Sequence, residues 1–257
     1  MVIDITGYIG KWPWWPNAYM DAGLDKFIEL MDKFKIDKSV IISTKSIFYN
    51  DATGNEEVFQ AVEKYPEKLI ASAVINPYSH GDNPAKYVNQ CIERGAKLIR
   101  LYPIYHRYPL SKDNPKLTQI IKQAILHNCP ISIPIRLLMN WGFLFIRVGE
   151  LVSFTRSFPD ATFIIDAYNY PEFHFLLELA KERRNIFLGT MCLTMYKGIQ
   201  ESVNAIGSKR LLFGTGMPLQ YPACSLITVK ESEIEQSAKR NILSLNVKKL
   251  LKNCGNI

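Results

Sequence analysis

The chain has 257 residues, of which 47% are hydrophobic and 21% are charged. This balance is typical of a globular protein and excludes a disordered one. The formal charge of +7 can attract anions, but the lysines and arginines are scattered and accompany no nucleic-acid motif, so we expect no nucleic-acid partner. No apolar run reaches the roughly 18 residues of a membrane span, and no secretion-type leader is evident, so we expect no membrane partner.

The cysteines indicate the redox compartment. All five are widely spaced and no two form a CxxC pair: Cys91, Cys129, Cys192, Cys224 and Cys254. An odd number without paired spacing argues against a disulfide framework and against a zinc knuckle. We therefore expect reduced thiols in a cytoplasmic protein.

Taken in chain order, eight short apolar runs rich in β-branched residues alternate with longer helical patterns. The runs begin near Val2, Ser39, Leu69, Lys97, Pro130, Ala161, Asn185 and Lys209. Each interval of roughly 24–37 residues has room for one strand, one helix and two loops. The sequence therefore predicts an α/β fold in which residues 1–257 form one domain, a single (β/α)8 TIM barrel. An open doubly wound sheet is the alternative, although no GxGxxG loop is present.

Local signals predict several element boundaries. Apolar residues three and four positions apart predict a helix over Asp25–Phe34. Pro66 should end the helix that runs from Glu56, because proline lacks an amide donor and disfavours helical geometry just before it. Gly95 stands where a C-terminal cap would separate the next helix from the fourth strand.

The loop after the first strand has an unusual composition. It contains three of the four tryptophans, Trp12, Trp14 and Trp15, between prolines. Aromatic rings held in this way lose little conformational entropy when they become ordered. We expect a lid, a pocket wall or a subunit contact, with a local core cluster as the alternative. A homodimer is the expected assembly if the chain forms an oligomer.

Four segments carry a resemblance to a known family. They are the first strand, Val2–Gly10, the fourth strand, Gly95–Pro103, the eighth strand, Arg210–Pro218, and the closing helices, Glu233–Leu251. Together they resemble the amidohydrolase superfamily, in particular its amidohydrolase-related branch of hydrolases and decarboxylases. The resemblance spans nearly the whole chain. It implies a TIM barrel of the metal-dependent hydrolase type, in which ligands bind over the C-terminal ends of the strands.

The metal ligands of that family are not found at the matching positions. Its first strand ends in Asp-x-His-x-His, but here Asp4 is followed by Thr6 and Tyr8. The histidines of the fifth and sixth strands and the aspartate of the eighth align with Pro134, with Ala167 or Tyr168, and with Gly216. Hydroxyl groups, a proline and a glycine cannot replace imidazole and carboxylate donors. We therefore expect no bound catalytic metal and no cofactor.

The polar residues at the predicted strand ends suggest an anion site. Arg100 and Arg136 can present paired donors to a carboxylate or a phosphate, so we expect a small anionic partner. Tyr102 and Lys45 are further candidate substrate-binding residues at the strand ends. The alternative is that the two arginines pair with acids such as Asp4 and Asp166 to hold the barrel mouth together.

Three residues are candidates for catalysis. His106 is predicted to be the only histidine in a mouth loop, where an imidazole can act as general acid or base. Asp166 closes the sixth strand and can also move protons, and Tyr8 can donate a hydrogen bond.

Two functions remain open at this point. The first is a metal-independent hydrolase, cleaving a lactone or a C–O or C–N bond, or a lyase, acting on a small carboxylated metabolite. The second is a non-catalytic barrel that binds a small anion or a protein partner. Binding without turnover would favour the second.

Overall fold

The computed structural model describes residues 1–11, 21–137 and 145–255. The Trp12–Trp15 loop lies outside these residues, so its predicted roles stay predictions. The strands are β1 (Ile3–Lys11), β2 (Asp21–Ala22), β3 (Lys38–Ser43), β4 (Leu69–Ala71), β5 (Ala73–Val74), β6 (Ile99–Arg100), β7 (Ile131–Pro134), β8 (Phe163–Asp166), β9 (Ile186–Gly189) and β10 (Leu211–Leu212).

Helices follow the strands along the chain. They are α1 (Leu24–Phe34), α2 (Thr44–Phe48), α3 (Asp51–Lys64), α4 (Pro84–Glu93), α5 (Pro103–His106), α6 (Pro115–Leu126), α7 (Val148–Arg156), α8 (Tyr170–Glu182), α9 (Gly198–Ile206), α10 (Pro222–Lys230), α11 (Gln236–Arg240) and α12 (Asn246–Lys252), with a 3-10 turn at Ser208–Arg210 and a π-helical turn at Asn241–Leu245. Within the described ranges, no helix is both long enough and apolar enough to cross a membrane.

Apart from β2, the strands form a ring of parallel neighbours. One sheet has the order β2-β1-β3-β4 and the other β10-β9-β8-β7-β6-β5. The two sheets meet where the third predicted strand is interrupted at Ser72, since Lys97 N donates to Ala71 O at 2.9 Å and Ala73 N donates to Leu98 O at 2.9 Å. On the opposite side, Ile5 N donates to Phe213 O at 2.8 Å. These bonds join the first strand to the eighth, and the predicted (β/α)8 TIM barrel is confirmed.

The boundary predictions hold in most places. The helix predicted over Asp25–Phe34 is α1, and Gly95 has a φ of +99°, which its missing Cβ tolerates. The helix before Pro66 begins earlier than Glu56, at Asp51, because the Asn50 side chain accepts a hydrogen bond from Thr53 N and caps α3. The antiparallel strand β2, paired with the end of β1, was not predicted.

The interior of the barrel is filled in three layers. The base layer is apolar and is covered from below by Val247 and Leu251 of α12; it comprises Ile3, Ile5, Val40, Leu98, Ile164 and Leu212. The polar layer lies above it and comprises Thr6, Ser72, Arg100, Ser132 and Asp166. The upper layer, toward the mouth, comprises Tyr8, Ile42, Val74, Tyr102, Leu137, Ala167, Met191 and Leu219. The C-terminal strand ends therefore present two polar phenols set among apolar side chains.

Candidate active site

Arg100 lies at the centre of the polar layer and is fully buried. Its Nε donates to Ser72 Oγ and its Nη1 to Ser132 Oγ, both at 3.2 Å. Its Nη2 donates to the carbonyl of Ile5, on the opposite side of the barrel. The guanidinium therefore spans the barrel between four strands. The structure places this predicted substrate-binding residue beneath the mouth and not at its rim.

Asp166 and Asp4 belong to one hydrogen-bonded chain across the barrel. Thr6 Oγ1 donates to Asp166 Oδ2 at 2.5 Å, and Thr6 N donates to Asp4 Oδ1 at 2.9 Å. Thr215 adds two more donors to Asp4, its amide at 2.9 Å and its hydroxyl at 2.6 Å. A bulge between Asp4 and Gly7, visible as a shift in the pairing of β1 with β3, alters the strand where Thr6 lies.

Burial determines the protonation of these carboxyl groups. Burial raises the pKa of Asp4 to about 7, although the hydrogen bonds from Thr215 and Thr6 act in the opposite direction. Burial also raises the pKa of Asp166, against the hydrogen bonds from Thr6 and Ala167 and the charge of Arg100. Both acids can therefore hold a proton at a higher pH than an exposed aspartate can.

Tyr8 and Tyr102 form a phenol pair directly above the guanidinium. Their hydroxyl oxygens are 3.5 Å apart, and both side chains are buried. Burial raises the pKa of each phenol, and the positive charge of Arg100 partly counteracts this. The two hydroxyls therefore stay protonated at neutral pH and can donate hydrogen bonds. The structure brings together Tyr8, Tyr102, Arg100 and Asp166 of the predicted site residues.

Met191 occupies the space beside Gly216, the position at which the sequence resemblance predicts that an aspartate has been lost. A Cβ atom added to Gly216 would lie 2.6 Å from Met191 Cε and 3.0 Å from its Sδ. The backbone of Gly216 also has a φ of +68°, a conformation that favours glycine. A side chain at this position would therefore require the end of the Met191 side chain to move aside.

The other predicted binding residues lie in ion pairs away from the phenol pair. Arg136 Nη2 is paired with Glu172 Oε1, and Glu172 Oε2 also accepts from Asn169 N at 3.0 Å as part of the α8 cap. Lys45 Nζ lies 3.3 Å from Glu57 Oε1. Arg136 therefore does pair with an acid, as the alternative interpretation has it. The acid is Glu172 and not Asp4 or Asp166.

His106 ends the short helix α5 and is largely buried. Its Nε2 donates to the carbonyl of Ser46 at 3.2 Å. Burial lowers the pKa of His106, while Asp51 opposes that change, so the imidazole is mainly neutral at pH 7. A neutral imidazole can accept a proton.

A second loop histidine was missed. His80 follows the third predicted strand, so the prediction that His106 is the only histidine in a mouth loop was wrong. His80 Nε2 lies 2.7 Å from Asp51 Oδ2, and its ring stacks on Tyr87 at 3.8 Å between centroids. No motif joins two residues that are 29 positions apart. Only the helix-capping signal at Asn50, which fixes the start of α3 at Asp51, could have pointed to this pair.

Among residues 1–11, 21–137 and 145–255, no three His, Cys, Asp or Glu side chains are arranged so that they could hold a metal ion.

A family model and several solved structures match this chain. A comparison with curated proteins finds no match. Among solved structures, the chain is similar to a dihydroxybenzoic acid decarboxylase from Polaromonas sp. JS666 with bound manganese and an inhibitor, 2-nitroresorcinol (12% identity, TM-score 0.75, 98% of this chain and 96% of that one). It is also similar to 4-oxalomesaconate hydratase from Rhodopseudomonas palustris (16% identity, TM-score 0.70, 98% and 96%).

A third similar structure is a probable 2-pyrone-4,6-dicarboxylic acid hydrolase from Acinetobacter baumannii with citric acid bound (14% identity, TM-score 0.70, 98% and 99%). At these identities the likeness shows the fold. The family model described as Amidohydrolase (Amidohydro_2) matches residues 8–252, nearly the whole chain. The chain therefore belongs to the amidohydrolase family.

Proposed function

We propose that this chain is a metal-independent hydrolase or lyase that acts on a small carboxylated metabolite. The three similar structures are named for a decarboxylase, a hydratase and a hydrolase, and each printed name includes a carboxylic acid. The observation that carries the proposal is the fully buried guanidinium of Arg100 beneath the Tyr8–Tyr102 pair. A permanent positive charge stands at the centre of the barrel, where it can stabilise a negatively charged substrate.

The oxygen atoms around Arg100 are not suited to bind a divalent metal ion. Three hydrogen bonds from Thr6 and Thr215 already engage both oxygens of Asp4, and Thr6 and Ala167 engage those of Asp166. The remaining groups are neutral hydroxyls, which bind such ions weakly. A second cation beside the guanidinium would also be repelled in this water-poor interior. We therefore derive no step through a metal ion.

The phenol pair supplies directed hydrogen bonds. Protonated Tyr8 and Tyr102 can donate to a substrate carboxylate or to an oxyanion that develops during the reaction. Donors that are already oriented in a buried site stabilise such charge without reorganisation. Arg100 strengthens this effect because its charge makes the phenols better donors.

Asp166 and His106 complete the proposed proton chemistry. Asp166, whose pKa is raised by burial, can hold a proton next to the Thr6 hydroxyl. His106, neutral at pH 7, can accept one at the edge of the site. The two groups would then act as acid and base.

A second candidate function is a non-catalytic anion-binding barrel. The upper layer favours it, because Tyr8, Met191 and Leu219 are nearly inaccessible and the phenols are reached only if these side chains move. In this case the polar layer would hold an anion without converting it.

The test combines binding, turnover and metal analysis. Purified protein is screened for thermal stabilisation by hydroxybenzoates, pyrone carboxylates and aliphatic dicarboxylates, and each stabilising compound is then assayed for turnover. We expect turnover that survives chelation by EDTA and falls at least tenfold in Tyr8→Phe and Tyr102→Phe. Tyr65→Phe, which removes a surface hydroxyl bonded to Asp25, is the matched control and should be unaffected.

Each remaining outcome decides between the candidates. Binding that is weakened in both phenol variants, without turnover, supports the non-catalytic barrel. Activity that EDTA abolishes and manganese or zinc restores contradicts the proposal.

A further inference from the structure

An aspartate and a histidine form a fixed pair at the rim of the barrel mouth. Asp51 is the first residue of α3 and its side chain is fully buried, while His80 lies in the loop after β5. His80 Nε2 lies 2.7 Å from Asp51 Oδ2. A carboxylate only accepts hydrogen bonds, so Nε2 is the nitrogen that carries the ring proton. The proton chemistry proposed above for Asp166 and His106 uses neither residue of the pair.

Other contacts hold both partners in place. Asp51 Oδ2 also accepts from Asn76 N at 2.7 Å, and its Oδ1 accepts from Ala52 N at 3.0 Å. The His80 ring is stacked on Tyr87, with 3.8 Å between the ring centroids and 15° between the ring planes. The carboxylate is therefore fixed from three sides, and the imidazole cannot turn without losing a contact.

The second ring nitrogen of His80 is open to solvent. In the described part of the chain, Nδ1 makes no hydrogen bond and is not among the enclosed polar atoms. The side chain is 12% exposed, so water reaches this edge of the ring. His106 differs, because its Nδ1 is buried and has no hydrogen-bond partner among the described residues. An imidazole that is held by a carboxylate through one nitrogen and open at the other has the arrangement of a general base.

The pair is joined to the upper layer of the barrel. Asn55 lies one turn after Asp51 in α3 and binds both backbone groups of Val74. Its Nδ2 donates to Val74 O at 2.7 Å, and its Oδ1 accepts from Val74 N at 2.9 Å. Val74 packs in the same layer as Tyr8 and Tyr102. The start of α3 is therefore fixed against the strand ends of the proposed site.

The same part of α3 also packs against the helix that holds His106. A Cβ atom added to Gly54 would lie 2.2 Å from Ser46 N, so α2 and α3 are in close contact there. The carbonyl of Ser46 accepts the hydrogen bond of His106. His80 and His106 therefore lie on the same side of the mouth, with α2 and α3 between them.

We propose that Asp51 and His80 form an acid–base dyad that activates water at the rim of the mouth. The proposal rests on the proposed function and favours its hydrolase form. His80 Nδ1 takes a proton from water, and the hydroxide oxygen attacks the carbonyl carbon of a lactone. As the C–O bond breaks, the leaving oxygen takes the proton from Nδ1. One water is consumed, and the products are a carboxylic acid and a hydroxyl group. Asp51 is a positioning residue, because it acts through the ring of His80.

The first test measures the reactivity of His80 without a substrate. The full chain is treated with diethyl pyrocarbonate at pH 7, and peptide mass spectrometry follows the modification of each histidine over time. The reagent reacts with an accessible, unprotonated ring nitrogen. We expect His80 to react in the folded protein and His106, whose Nδ1 is enclosed, to react more slowly. His174 is exposed on α8 and has no carboxylate partner in the described ranges, so it is the internal reference.

The variant Asp51→Asn separates the role of the carboxylate from accessibility. The new amide can donate to Nε2, which moves the ring proton to Nδ1 and removes the reactive lone pair. The rate at His80 should fall by at least about tenfold, while the rate at His174 should not change. If this variant does not fold, nitrogen NMR of the unaltered chain tests the same point, because the neutral ring should carry its proton on Nε2.

The second test measures turnover of pyrone carboxylates. His80→Ala should lower kcat by about a hundredfold with little change in KM, the usual effect of removing a general base. Added imidazole should restore part of the lost rate, because it can occupy the space of the missing ring beside Tyr87. His174→Ala is the matched control and should be as active as the unaltered chain.

The proposal is overturned if His80 stays unmodified in the folded protein, or if Asp51→Asn leaves its rate unchanged. A neutral ring that carries its proton on Nδ1 also overturns it. If turnover is lost in the phenol variants and kept in His80→Ala, the dyad fails and the proposed function stands. If His80 reacts as expected and no compound is turned over, the proposed function fails and the dyad stands.

Discussion

The base layer and the polar layer of the barrel are equally buried but chemically opposite. In the base layer, aliphatic side chains from five of the eight predicted strands pack together. One layer higher, the first and the third to sixth predicted strands supply a guanidinium, a carboxyl group and three hydroxyls. Aliphatic packing stabilises the fold through the apolar area that it removes from water. A buried charge is costly even when it is paired, so its presence there points to a function that stability alone does not explain.

The largest expected effect comes from removing the central charge. Arg100→Met should lower the free energy of unfolding by about 4 kcal/mol, because it leaves the carbonyl of Ile5 and the hydroxyls of Ser72 and Ser132 without their buried donor. Urea unfolding measures this. Arg94→Met, which breaks a surface pair with Glu56, is the control and should cost less than about 1 kcal/mol. If the two variants lose the same free energy of unfolding, the expected difference between a buried and a surface charge is wrong.

The next effect is a dependence of stability on pH. Burial raises the pKa of Asp4 from 3.8 to about 7. Between these values the folded chain binds a proton that the unfolded chain has lost, so the free energy of unfolding should fall as pH rises from about 4 to about 7. The decrease should be on the order of 3 kcal/mol, from about 1.4 kcal/mol per pKa unit.

Chemical denaturation at a series of pH values measures this decrease. Asp4→Asn, which cannot ionise, should show a flatter profile. A free energy of unfolding that rises between pH 5 and pH 7 in the unaltered chain, and not in the variant, would contradict the assignment.

A smaller effect is expected from one hydroxyl of the polar layer. Thr6→Val keeps the shape of the side chain but removes the donor 2.5 Å from Asp166 Oδ2. The loss should be about 2 kcal/mol, the cost of leaving a buried acceptor without its hydrogen bond. Thr6→Ser retains the hydroxyl and should recover most of it in the same urea titration. If Thr6→Val leaves the free energy of unfolding unchanged, Asp166 must accept a hydrogen bond from another donor.

The smallest effect on the free energy of unfolding is expected at the rim of the barrel, at Lys45. Lys45→Met removes a half-exposed pair with Glu57 and should change the free energy of unfolding by less than about 0.5 kcal/mol. If Lys45 binds substrate as predicted, the same variant should still weaken the binding of a stabilising carboxylate. A stability loss as large as that of Thr6→Val would show that the rim and the interior do not differ in this way.

The sequence is enough to predict the barrel but not the arrangement of its interior. Strand runs and their intervals depend on local composition, and the chain carries that signal at each of the eight starts. The cross-barrel bonds of Arg100 and Thr6 depend on which residues face inward at the same height, and the bulge in β1 changes that order. Sequence reasoning selected Arg100 and Asp166 but expected them at the mouth.

Long-range pairs explain the other misses. Arg136 was predicted to bind an anion, with pairing to an acid such as Asp4 or Asp166 as the alternative; in the structure it pairs with Glu172, which lies in the first turn of α8 and also caps that helix. His80 contacts Asp51 only because the loop after β5 returns to the start of α3. Neither contact corresponds to a repeating pattern or a characteristic spacing in the sequence.

The close approach of Met191 to Gly216 limits how a metal centre could be engineered into this barrel, which we propose works without one. A side chain at position 216 would place its Cβ 2.6 Å from the terminal methyl carbon of Met191, on a backbone with a φ of +68°. Met191 would have to turn aside or be made smaller to admit an aspartate. Histidines at positions 6 and 8 would in addition replace the hydroxyl that donates to Asp166 and one phenol of the pair. Engineering a metal centre here therefore calls for several coordinated replacements.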